Sequence, residues 1–382
     1  MKKIIAIVGG CLYLVFLMTL IGIKPMVYEV LKSEADGVYY VTTKDYSITG
    51  EYDSIEVQNG IWDVIFEPGD TDETVVHTCG PEGIDIKAEI LENTLTVREE
   101  STLSDIAYNH VIIKDNATRP SATIYIPKKA YEKIECEMTY GWVKINSYGS
   151  SDDSLSFKTL AARSESGGLE VGVPVSESVD VSTVSGQLSL VDKFGDITFE
   201  SVIGNFYLDG NAYGDVKAYT DGGKDDIKAY VTGSIDVKTV VGDVALLLRG
   251  ECRDIRVQTN NAGIDISNAR ADTITAKSAA GDVNIRGSIG WSFIDVLTSS
   301  GSIDLDLIAT KKLKSVTLAG NTKVRTAVEM QYDIEGMDGE IEHPASSGEC
   351  ECYLRSGMGE ATVSYNPVGV VLRDWNEHNR KK

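Results

Sequence analysis

The chain has 382 residues, enough for one large domain or two ordinary ones, and 42% of them are apolar, so that a substantial core can be buried. Its net charge of −22 argues against a nucleic-acid partner and against adhesion to anionic lipid surfaces, since both would repel it. Thirty-six glycines against eight prolines favour many tight turns over a disordered, proline-rich linker.

The chain begins with an uncharged, mostly apolar run at residues 4–23, IIAIVGGCLYLVFLMTLIGI, which follows Lys2 and Lys3. As a helix this run would be about 30 Å long, which matches the hydrocarbon core of a bilayer. Positive charges before the run favour a cytoplasmic stub at residues 1–3 and export of everything that follows. The sequence therefore predicts a single-pass protein of the cell membrane, with an extracellular ectodomain after a stalk at residues 24–45. A cleaved signal peptide is the alternative, although its apolar region is usually about 7–15 residues long.

Five cysteines follow the apolar run, at Cys79, Cys136, Cys252, Cys350 and Cys352. An odd, scattered set is a poor framework for disulfides in a chain of this size. The pair Cys350 and Cys352 resembles half of a metal site, but no nearby histidine or second cysteine pair completes it. We therefore expect these cysteines to pack in strands as small apolar groups, without a metal.

A serine or threonine recurs at a nearly constant step through much of the chain. This Ser/Thr position is occupied by Ser164, Thr183, Ser201, Thr220, Thr239, Thr259, Ser278, Thr298 and Thr317, and the same step continues to Gly336 and Ser356. A glycine follows three positions later: Gly167, Gly186, Gly204, Gly223, Gly242, Gly281, Gly301, Gly320, Gly339 and Gly359, with a slip of one position to Gly263. A period of about 20 residues, sustained over this length, indicates stacked repeats.

Within each repeat the apolar residues alternate with polar ones, which is typical of strands. In IDVKTVVGDVAL, residues 235–246, Ile235 and Val237 share one face of a strand, and Val244 and Leu246 face the same side after the turn. A coil of about 20 residues that stacks on its neighbours in parallel register is a β-solenoid. The predicted fold class is therefore all-β, a single parallel β-helix-like solenoid behind an N-terminal transmembrane helix.

The recurring residues have expected roles in such a coil. Glycine would supply a positive φ at the corner, and the Ser/Thr hydroxyl would point inwards and bond to the rung above or below. The aspartate that follows several corner glycines would bond to its own backbone as a turn residue. This aspartate position is occupied by Asp196, Asp215, Asp243 and Asp282.

The remaining boundaries follow from the regularity of the repeat. Residues 46–133 are β-rich but irregular, and we expect N-terminal β coils and a cap there. Residues 134–366 are predicted to form the solenoid proper, twelve rungs that make a rod about 55–60 Å long at ~4.8 Å per rung. Residues 367–382 break the pattern and are predicted to form a C-terminal cap and tail that covers the last open edge.

Three stretches carry a resemblance to a known family: IEVQNGIWDVIFEPGD at 55–70, IYIPKKAYEKIECEMTYGWVKI at 124–145, and the repeated G-[DS]-[IV]-x-[IVL]. Over residues 46–365 the chain resembles bacterial membrane-anchored β-strand-repeat proteins that are named putative adhesins and whose domain has no known function. The resemblance implies an exported, surface-exposed protein without known catalysis. It implies no functional residues.

No catalytic motif is present in the sequence, so we expect no enzymatic activity, no catalytic residues and no cofactor. The four histidines, His77, His110, His343 and His378, are widely spaced and form no H-E-x-x-H. The segment GGKD at 222–225 lacks the features of a phosphate-binding loop, and no G-x-S-x-G occurs. The repeats also lack the G-G-x-G-x-D pattern of internal calcium columns, so no metal site is predicted.

A parallel β-helix enzyme acting on acidic polysaccharides is the enzymatic alternative, because repeated aspartates could imitate its carboxylates. The aspartates here lie at turns, however, and Arg253, Arg256 and Lys277 read as ordinary outward strand positions. A chain of net charge −22 would also repel polyanionic glycans. We regard this alternative as the least favoured.

The leading functional hypothesis is a membrane-anchored, non-enzymatic surface adhesin or binding module for an unknown extracellular or envelope ligand, either glycan or protein. The alternative is an accessory protein of envelope-stress sensing that binds a membrane sensor, since a cytoplasmic stub this short cannot signal alone. Neither hypothesis assigns a ligand or a binding face from sequence.

Overall fold

The computed structural model describes most of the chain and shows an all-β architecture. The residues that it describes are 41–81, 83–101, 120–146, 155–336 and 349–365. Within these ranges the chain forms 26 strands and no helix, and hence none long and apolar enough to span a bilayer. The expected anchor at 4–23, most of the expected stalk, the expected cap at 367–382 and Gly339 lie outside the described residues.

The strands range in length from three to 16 residues. In chain order they are β1 (Val41–Ile48), β2 (Ser54–Asn59), β3 (Asp63–Gly69), β4 (Thr74–Pro81), β5 (Ile84–Leu91), β6 (Thr94–Ser101), β7 (Ser121–Pro127), β8 (Ala130–Met138), β9 (Val143–Ile145), β10 (Ser156–Ser164), β11 (Leu169–Val171), β12 (Val175–Thr183), β13 (Leu188–Leu190), β14 (Lys193–Ile203), β15 (Phe206–Ala212), β16 (Val216–Gly222), β17 (Asp225–Val231), β18 (Ile235–Val241), β19 (Val244–Thr259), β20 (Ile264–Ser278), β21 (Val283–Thr298), β22 (Ile303–Thr317), β23 (Thr322–Thr326), β24 (Met330–Gly336), β25 (Cys350–Ser356) and β26 (Ala361–Tyr365). The shortest are β9, β11 and β13, with three residues each, and the longest are β19 to β22, with 15 or 16 residues. β1 begins inside the segment expected to be a stalk.

The strands stack in parallel and form two broad faces of a solenoid. Face A consists of the segments that end at the Ser/Thr position of each repeat, and face B consists of the segments that begin after the glycine corner. Neighbouring rungs pair in register, so that on face A Ile235 lies beside Ile255 and Val237 beside Val257. The strands β19 to β22 run without interruption from face B to face A and join both faces in one hydrogen-bonded system. The predicted β-solenoid is therefore confirmed.

Alternation along each strand places one set of side chains in a core between the two faces. In β18, Ile235 and Val237 are at most 1% exposed, whereas Asp236 and Lys238 lie on the outer side. The pattern repeats from rung to rung, so that aliphatic side chains stack in columns within one continuous core. The outer surface of each face is consequently built from the alternate, mostly polar residues.

The corner glycines are required by close stacking of rungs. A Cβ atom on Gly186 would collide with the carbonyl oxygen of Gly167 in the adjacent corner. The same collision with the neighbouring corner would occur at Gly167, Gly204, Gly223, Gly242, Gly281, Gly301, Gly320 and Gly359. Among these glycines only Gly223 has a positive φ, of 149°. The expected conformational reason is therefore wrong for the others, where the approach of the neighbouring backbone excludes a side chain.

The structure places Ala262, not Gly263, at the stacked corner of its rung. The carbonyl oxygen of Ala262 is the atom that a Cβ on Gly281 would strike, and it accepts a hydrogen bond from Ser278 Oγ at 3.1 Å. A Cβ on Gly263 would meet nothing closer than Asp243 Oδ1 at 3.6 Å. The assignment of Gly263 as a corner glycine is therefore wrong, and this corner accommodates a methyl group.

The Ser/Thr side chains point into the corners. Thr183, Thr220, Thr239, Thr259, Ser278, Thr298 and Thr317 are buried, and Ser164 and Ser201 are partly exposed. Thr298 Oγ1 donates to the carbonyl oxygen of Gly281 at 3.0 Å, and Thr317 Oγ1 donates to that of Gly301 at 2.8 Å. These bonds connect successive rungs through their corners.

Other hydroxyls of the same series bond differently. Thr183 Oγ1 accepts from the backbone N–H of Gly186 at 2.7 Å, and Ser164 Oγ donates to the carbonyl oxygen of Gly167 at 2.8 Å, both within one corner. Three hydroxyls have no hydrogen-bond partner among the described residues: Ser201, Thr239 and Thr259. The Ser/Thr position is therefore repeated in the sequence, but the hydrogen bonds of its hydroxyl differ from rung to rung.

The corner aspartates bond to the next rung instead of to their own turn. Asp196 Oδ1 accepts from the backbone N–H of Asp215 at 2.8 Å, and Asp243 Oδ1 accepts from that of Gly263 at 3.1 Å. Asp282 Oδ1 accepts in the same way from the N–H of residue 302 at 2.7 Å. The expected self-capping role is wrong, because stacking brings the next rung's N–H within reach of the carboxylate.

The C-terminal rungs do not stack in chain order. On face A, β25 pairs with β22 on one side and with β24 on the other, so that β24 lies outermost although it comes earlier in sequence. Gly336 consequently lies beside Ser356 and is not the neighbour of Thr317. The regular step predicted that Gly336 would stack on Thr317, and this prediction is wrong, because Ser356 lies between them. On face B, β26 follows β23 directly.

The N-terminal end of the solenoid is closed by antiparallel strands. On face A, β5 pairs antiparallel with β6, and on face B β4 pairs antiparallel with both β1 and β7. The parallel rungs begin with β6 and β2 on face A and with β7 and β3 on face B. A change of strand direction thus marks the first coils.

Candidate binding surface

The C-terminal half of face A is electropositive on its outer surface. On each rung two side chains point outwards: one lies three positions before the Ser/Thr position and the other lies one position before it. Seven stacked rungs therefore present fourteen outward side chains. These are Lys217, Tyr219, Asp236, Lys238, Arg256, Gln258, Thr275, Lys277, Asp295, Leu297, Lys314, Val316, Tyr353 and Arg355. On these seven rungs six cations face two carboxylates, a net charge of +4, on a chain whose total is −22. The outermost described rung, β24, adds the outward carboxylates Asp333 and Glu335 and lowers the net charge of this half of face A to +2. We name these cations the basic strip: Lys217, Lys238, Arg256, Lys277, Lys314 and Arg355.

The N-terminal half of face A has the opposite sign. Equivalent outward positions there carry five carboxylates and two arginines: Glu56, Arg98, Glu135, Glu137, Arg163, Asp180 and Glu200. Face A is therefore polarised along the solenoid axis. At ~4.8 Å per rung, the electropositive part is about 29 Å long.

Half of the basic strip is held in ion pairs. Lys238 Nζ lies 3.2 Å from Asp236 Oδ2 on its own strand, and Lys277 Nζ lies 3.3 Å from Asp295 Oδ2 on the next rung. Arg355 Nε lies 3.7 Å from a carboxylate of the outermost strand, at residue 335. Such half-exposed pairs contribute at most about 1 kcal/mol each, so they orient these cations more than they stabilise the fold.

The other half of the strip has no intramolecular anion. Lys217, Arg256 and Lys314 are exposed and form no ion pair with any residue in the described ranges. Carboxylates outnumber cations by 58 to 36 in this chain, so partners are abundant. These three side chains are thus free to meet an external anion without breaking an internal pair.

Two tyrosines lie among the cations. Lys238 Nζ lies over the ring of Tyr219, 4.8 Å from its centroid, and the Tyr219 hydroxyl donates to Asp236 Oδ2 at 3.2 Å. Burial, followed by the nearby Asp236 carboxylate, raises the pKa of the Tyr219 phenol. The Tyr353 hydroxyl donates to the carboxylate of Glu335 at 3.3 Å. The Tyr219 phenol is therefore a neutral donor at physiological pH, and the rings of both tyrosines remain on the outer surface.

A cavity of about 260 Å³ opens on the strip near its C-terminal end. It is lined by Lys277, Asp295, Leu297, Lys314, Val316, Tyr353 and Arg355. Cations surround a floor of two aliphatic side chains, and the one carboxylate is already paired with Lys277. Such a lining suits an anionic group that is attached to an apolar surface.

A larger groove of about 770 Å³ lies on the acidic half of the solenoid. Its lining includes Glu99, Glu137 and Glu165 but only one cation, Arg163. Glu99 is already committed, because its Oε2 accepts the backbone N–H groups of residues 60 and 61 at 2.9 and 2.8 Å. The groove also ends at Ser101, next to residues that the structure does not describe. We therefore place the candidate site on the basic strip.

Three of the five cysteines in the described part of the chain are buried, unreactive thiols. All five are free, and Cys136, Cys252 and Cys352 are buried in the core. Burial raises the pKa of each of these three thiols to about 12, so that they stay protonated and unreactive near neutral pH. Within the described ranges, no three His, Cys, Asp or Glu side chains converge on a possible metal position.

Sequence reasoning treated the cations one at a time and missed the strip. Arg256 and Lys277 do occupy outward strand positions, but they share face A with four further cations. Arg253 lies elsewhere, at a corner, where it donates to Asp215 Oδ1 and Ser234 Oγ at 2.9 Å each. The available signal was the alternation itself, which marks the residues three and one before each Ser/Thr position as neighbours on one surface.

Fold and surface together define a parallel β-solenoid repeat protein with a polarised, charged outer face. More particularly, the chain belongs to the Toastrack DUF4097 family, whose model matches residues 52–251 and 216–368. This match confirms the resemblance to β-strand-repeat proteins of unknown function. No curated protein matches the chain.

Solved structures that match the chain include three putative adhesins from Parabacteroides and Bacteroides species. A putative adhesin from Parabacteroides merdae is 11% identical, with 86% of this chain and 98% of that chain covered and a TM-score of 0.33. One from Parabacteroides distasonis is 13% identical, with 86% and 98% covered and a TM-score of 0.33. One from Bacteroides fragilis is 14% identical, with 85% and 97% covered and a TM-score of 0.24. No functional argument rests on likenesses of this strength.

Proposed function

We propose that the protein is a non-enzymatic binding module that is displayed outside the cell and binds an envelope or surface component through the basic strip. Residues 4–23 would anchor it in the cell membrane, with the N-terminus in the cytoplasm and the solenoid outside. The apolar run and the two lysines before it support this topology.

The unpaired cations carry the proposal. Lys217, Arg256 and Lys314 stand in one row on a rigid face, exposed and without an internal partner. They do not pack in the core, and they do not offset a neighbouring carboxylate, so folding does not require them. Their lack of an internal partner favours a binding role over a structural one, and ordering each of these flexible side chains would cost about 0.5–1.5 kcal/mol when a ligand binds.

The topology is tested by adding protease to intact cells that produce the full-length chain with a C-terminal epitope. We expect the epitope to disappear without lysis, while a cytoplasmic marker survives. An epitope that is lost only after lysis would overturn the extracellular placement.

The binding role is tested by sedimentation of the full-length chain, in neutral detergent, with isolated cell envelopes. The variant Lys217→Gln/Arg256→Gln/Lys314→Gln removes three charges from the strip. The matched control, Lys193→Gln/Arg286→Gln/Lys323→Gln, removes three exposed cations that lie off the strip. We expect the wild-type chain and the control to sediment and the strip variant to remain in solution. Equal sedimentation of both variants would refute the role of the strip.

A further inference from the structure

We propose that the basic strip binds a linear acidic polysaccharide, which lies along the solenoid axis and carries about one carboxylate per rung. The inference rests on the proposed function, because it names the ligand class of the same face. Three observations support it: the spacing of the cations, the lining of the cavity and the polarity of face A.

The first observation is that the cations alternate between the two outward columns. Lys217 stands three positions before the Ser/Thr position, and Lys238, on the next rung, stands one position before it. The next two rungs repeat this alternation with Arg256 and Lys277. After a rung that holds Asp295 and Leu297, Lys314 and Arg355 alternate again, but one rung out of step with the first four. Rungs are ~4.8 Å apart, and residues i and i+2 on a strand are ~6.6 Å apart. The strip is thus a zigzag of one cation per rung over the four rungs from Lys217 to Lys277, with a change of phase before Lys314 and Arg355.

A zigzag of this kind matches a particular polymer geometry. In an extended β-1,4-linked uronate chain, each sugar is turned by about half a turn relative to the previous one. Its carboxylates therefore point alternately to two sides, at intervals of one sugar. A chain laid along the axis would present them in turn to the two columns of cations over the four rungs from Lys217 to Lys277, and lysine and arginine both bind carboxylates well.

The second observation is the cavity, which interrupts the zigzag at the one rung without a cation. There the outward residues Leu297 and Val316 form an apolar floor beside the ring of Tyr353. The C–H face of a sugar ring packs on such a floor, and Lys277 and Lys314 remain at its sides. An inorganic polyphosphate has no apolar face to place there. The cavity therefore favours a polysaccharide over a purely ionic polymer.

The third observation is the sign change along face A, which limits the footprint. Interactions between exposed charges fall off over about 8 Å at physiological ionic strength. A polyanion on the strip is consequently governed by the local charge of +4 and not by the total of −22. Beyond Lys217 the outward carboxylates begin, at Glu200, and repel a longer overlap. The bound segment is expected to span seven rungs.

Calorimetric titration of the full-length chain in neutral detergent, with EDTA present, tests the proposal. The probe is a polymannuronate oligomer long enough to cover the strip, and its fully methyl-esterified form is the uncharged control. We expect the acid form to bind, the ester to show no heat, and monomeric mannuronate to bind far more weakly because it meets one cation at a time. Binding should also weaken as salt is raised. Equal binding of the ester would overturn the proposal.

Two variants locate the site. Lys217→Gln/Arg256→Gln/Lys314→Gln should weaken polymannuronate binding at least about tenfold, since three exposed ion pairs are lost. Lys193→Gln/Arg286→Gln/Lys323→Gln should change it less than about twofold. Similar losses in both variants would mean that net charge alone governs binding, and the zigzag would be refuted.

The apolar floor separates sugar from simple polyanion binding. Leu297→Ala, at a side chain that is 37% exposed, should weaken polymannuronate binding and leave polyphosphate binding unchanged. Equal effects on both polymers would overturn the assignment to a polysaccharide. If the wild-type chain sediments with envelopes through the strip but ignores polymannuronate, this inference fails and the proposed function stands.

Discussion

Asp225 is the first residue of β17 and points into the core, in a column where its neighbours on adjacent rungs are Phe206 and Val244. It is 0% exposed. Its Oδ2 accepts a hydrogen bond from Thr220 Oγ1 at 3.2 Å, and its Oδ1 has no hydrogen-bond partner among the described residues. Burial raises the pKa of this carboxyl from its ordinary value of 3.8 to about 7. In the folded chain the Asp225 carboxyl is therefore protonated and uncharged below about pH 7.

The raised pKa makes stability depend on pH in a known direction. In the unfolded chain the Asp225 carboxyl ionises near pH 4, while in the folded chain it stays protonated until about pH 7. Its favourable contribution is complete below pH 4 and is lost as the pH rises to 7. Since each pKa unit corresponds to about 1.4 kcal/mol, the loss amounts to about 4 kcal/mol.

The test compares urea unfolding of the full-length chain in detergent at pH 5 and pH 8, followed by tryptophan fluorescence. Asp225→Val replaces the carboxyl with the residue type found on the next rung. We expect the variant to exceed the wild type by up to about 4 kcal/mol at pH 8, and by much less at pH 5. Asp221→Asn, at an exposed aspartate nearby, controls for the loss of one charge. A variant that is less stable than the wild type at both pH values would refute the reasoning.

Three further predictions concern the corner glycines, the Ser/Thr hydroxyls and a buried cysteine. Gly186→Ala forces a methyl group onto the neighbouring corner and should lower the free energy of unfolding by about 1–3 kcal/mol, whereas Gly263→Ala should be near neutral; urea midpoints check both. Thr317→Val leaves a buried carbonyl oxygen without its donor and should cost about 1–3 kcal/mol, while Thr239→Val, whose hydroxyl has no partner in the described ranges, should cost nothing or stabilise. Alkylation at pH 8, followed by mass spectrometry, should leave Cys352 unmodified until the chain is unfolded, and rapid labelling of the folded chain would contradict its pKa of about 12.

The solenoid could be predicted because a stacked coil imposes the same local demand once per turn. Threonine, glycine and alternating aliphatics therefore return about every 20 residues, and this period is visible without a structure. The reason for each glycine was not visible. It depends on the distance between two corners, which brings the carbonyl oxygen of Gly167 against Gly186.

The binding surface was harder to predict, because it depends on comparison between rungs. Alternation assigns Lys217 and Arg256 to the outside, but the lack of a partner follows only from three-dimensional distances. The inward direction of Asp225 could have been inferred from its parity with Ile227, two positions later. What parity does not reveal is that its second oxygen has no partner among the described residues and that complete burial raises the pKa of the carboxyl.

The exchange of β24 and β25 has a consequence for how the molecule is completed during synthesis. Most rungs can add to a finished neighbour as soon as they are synthesised. β24 cannot do so, because the strand that it pairs with, β25, begins at Cys350, well after β24 has ended at Gly336. β24 can pair only after β25 has been synthesised and has added to β22. A chain cut short at residue 349 would thus lose two layers of face A while missing only one strand of it.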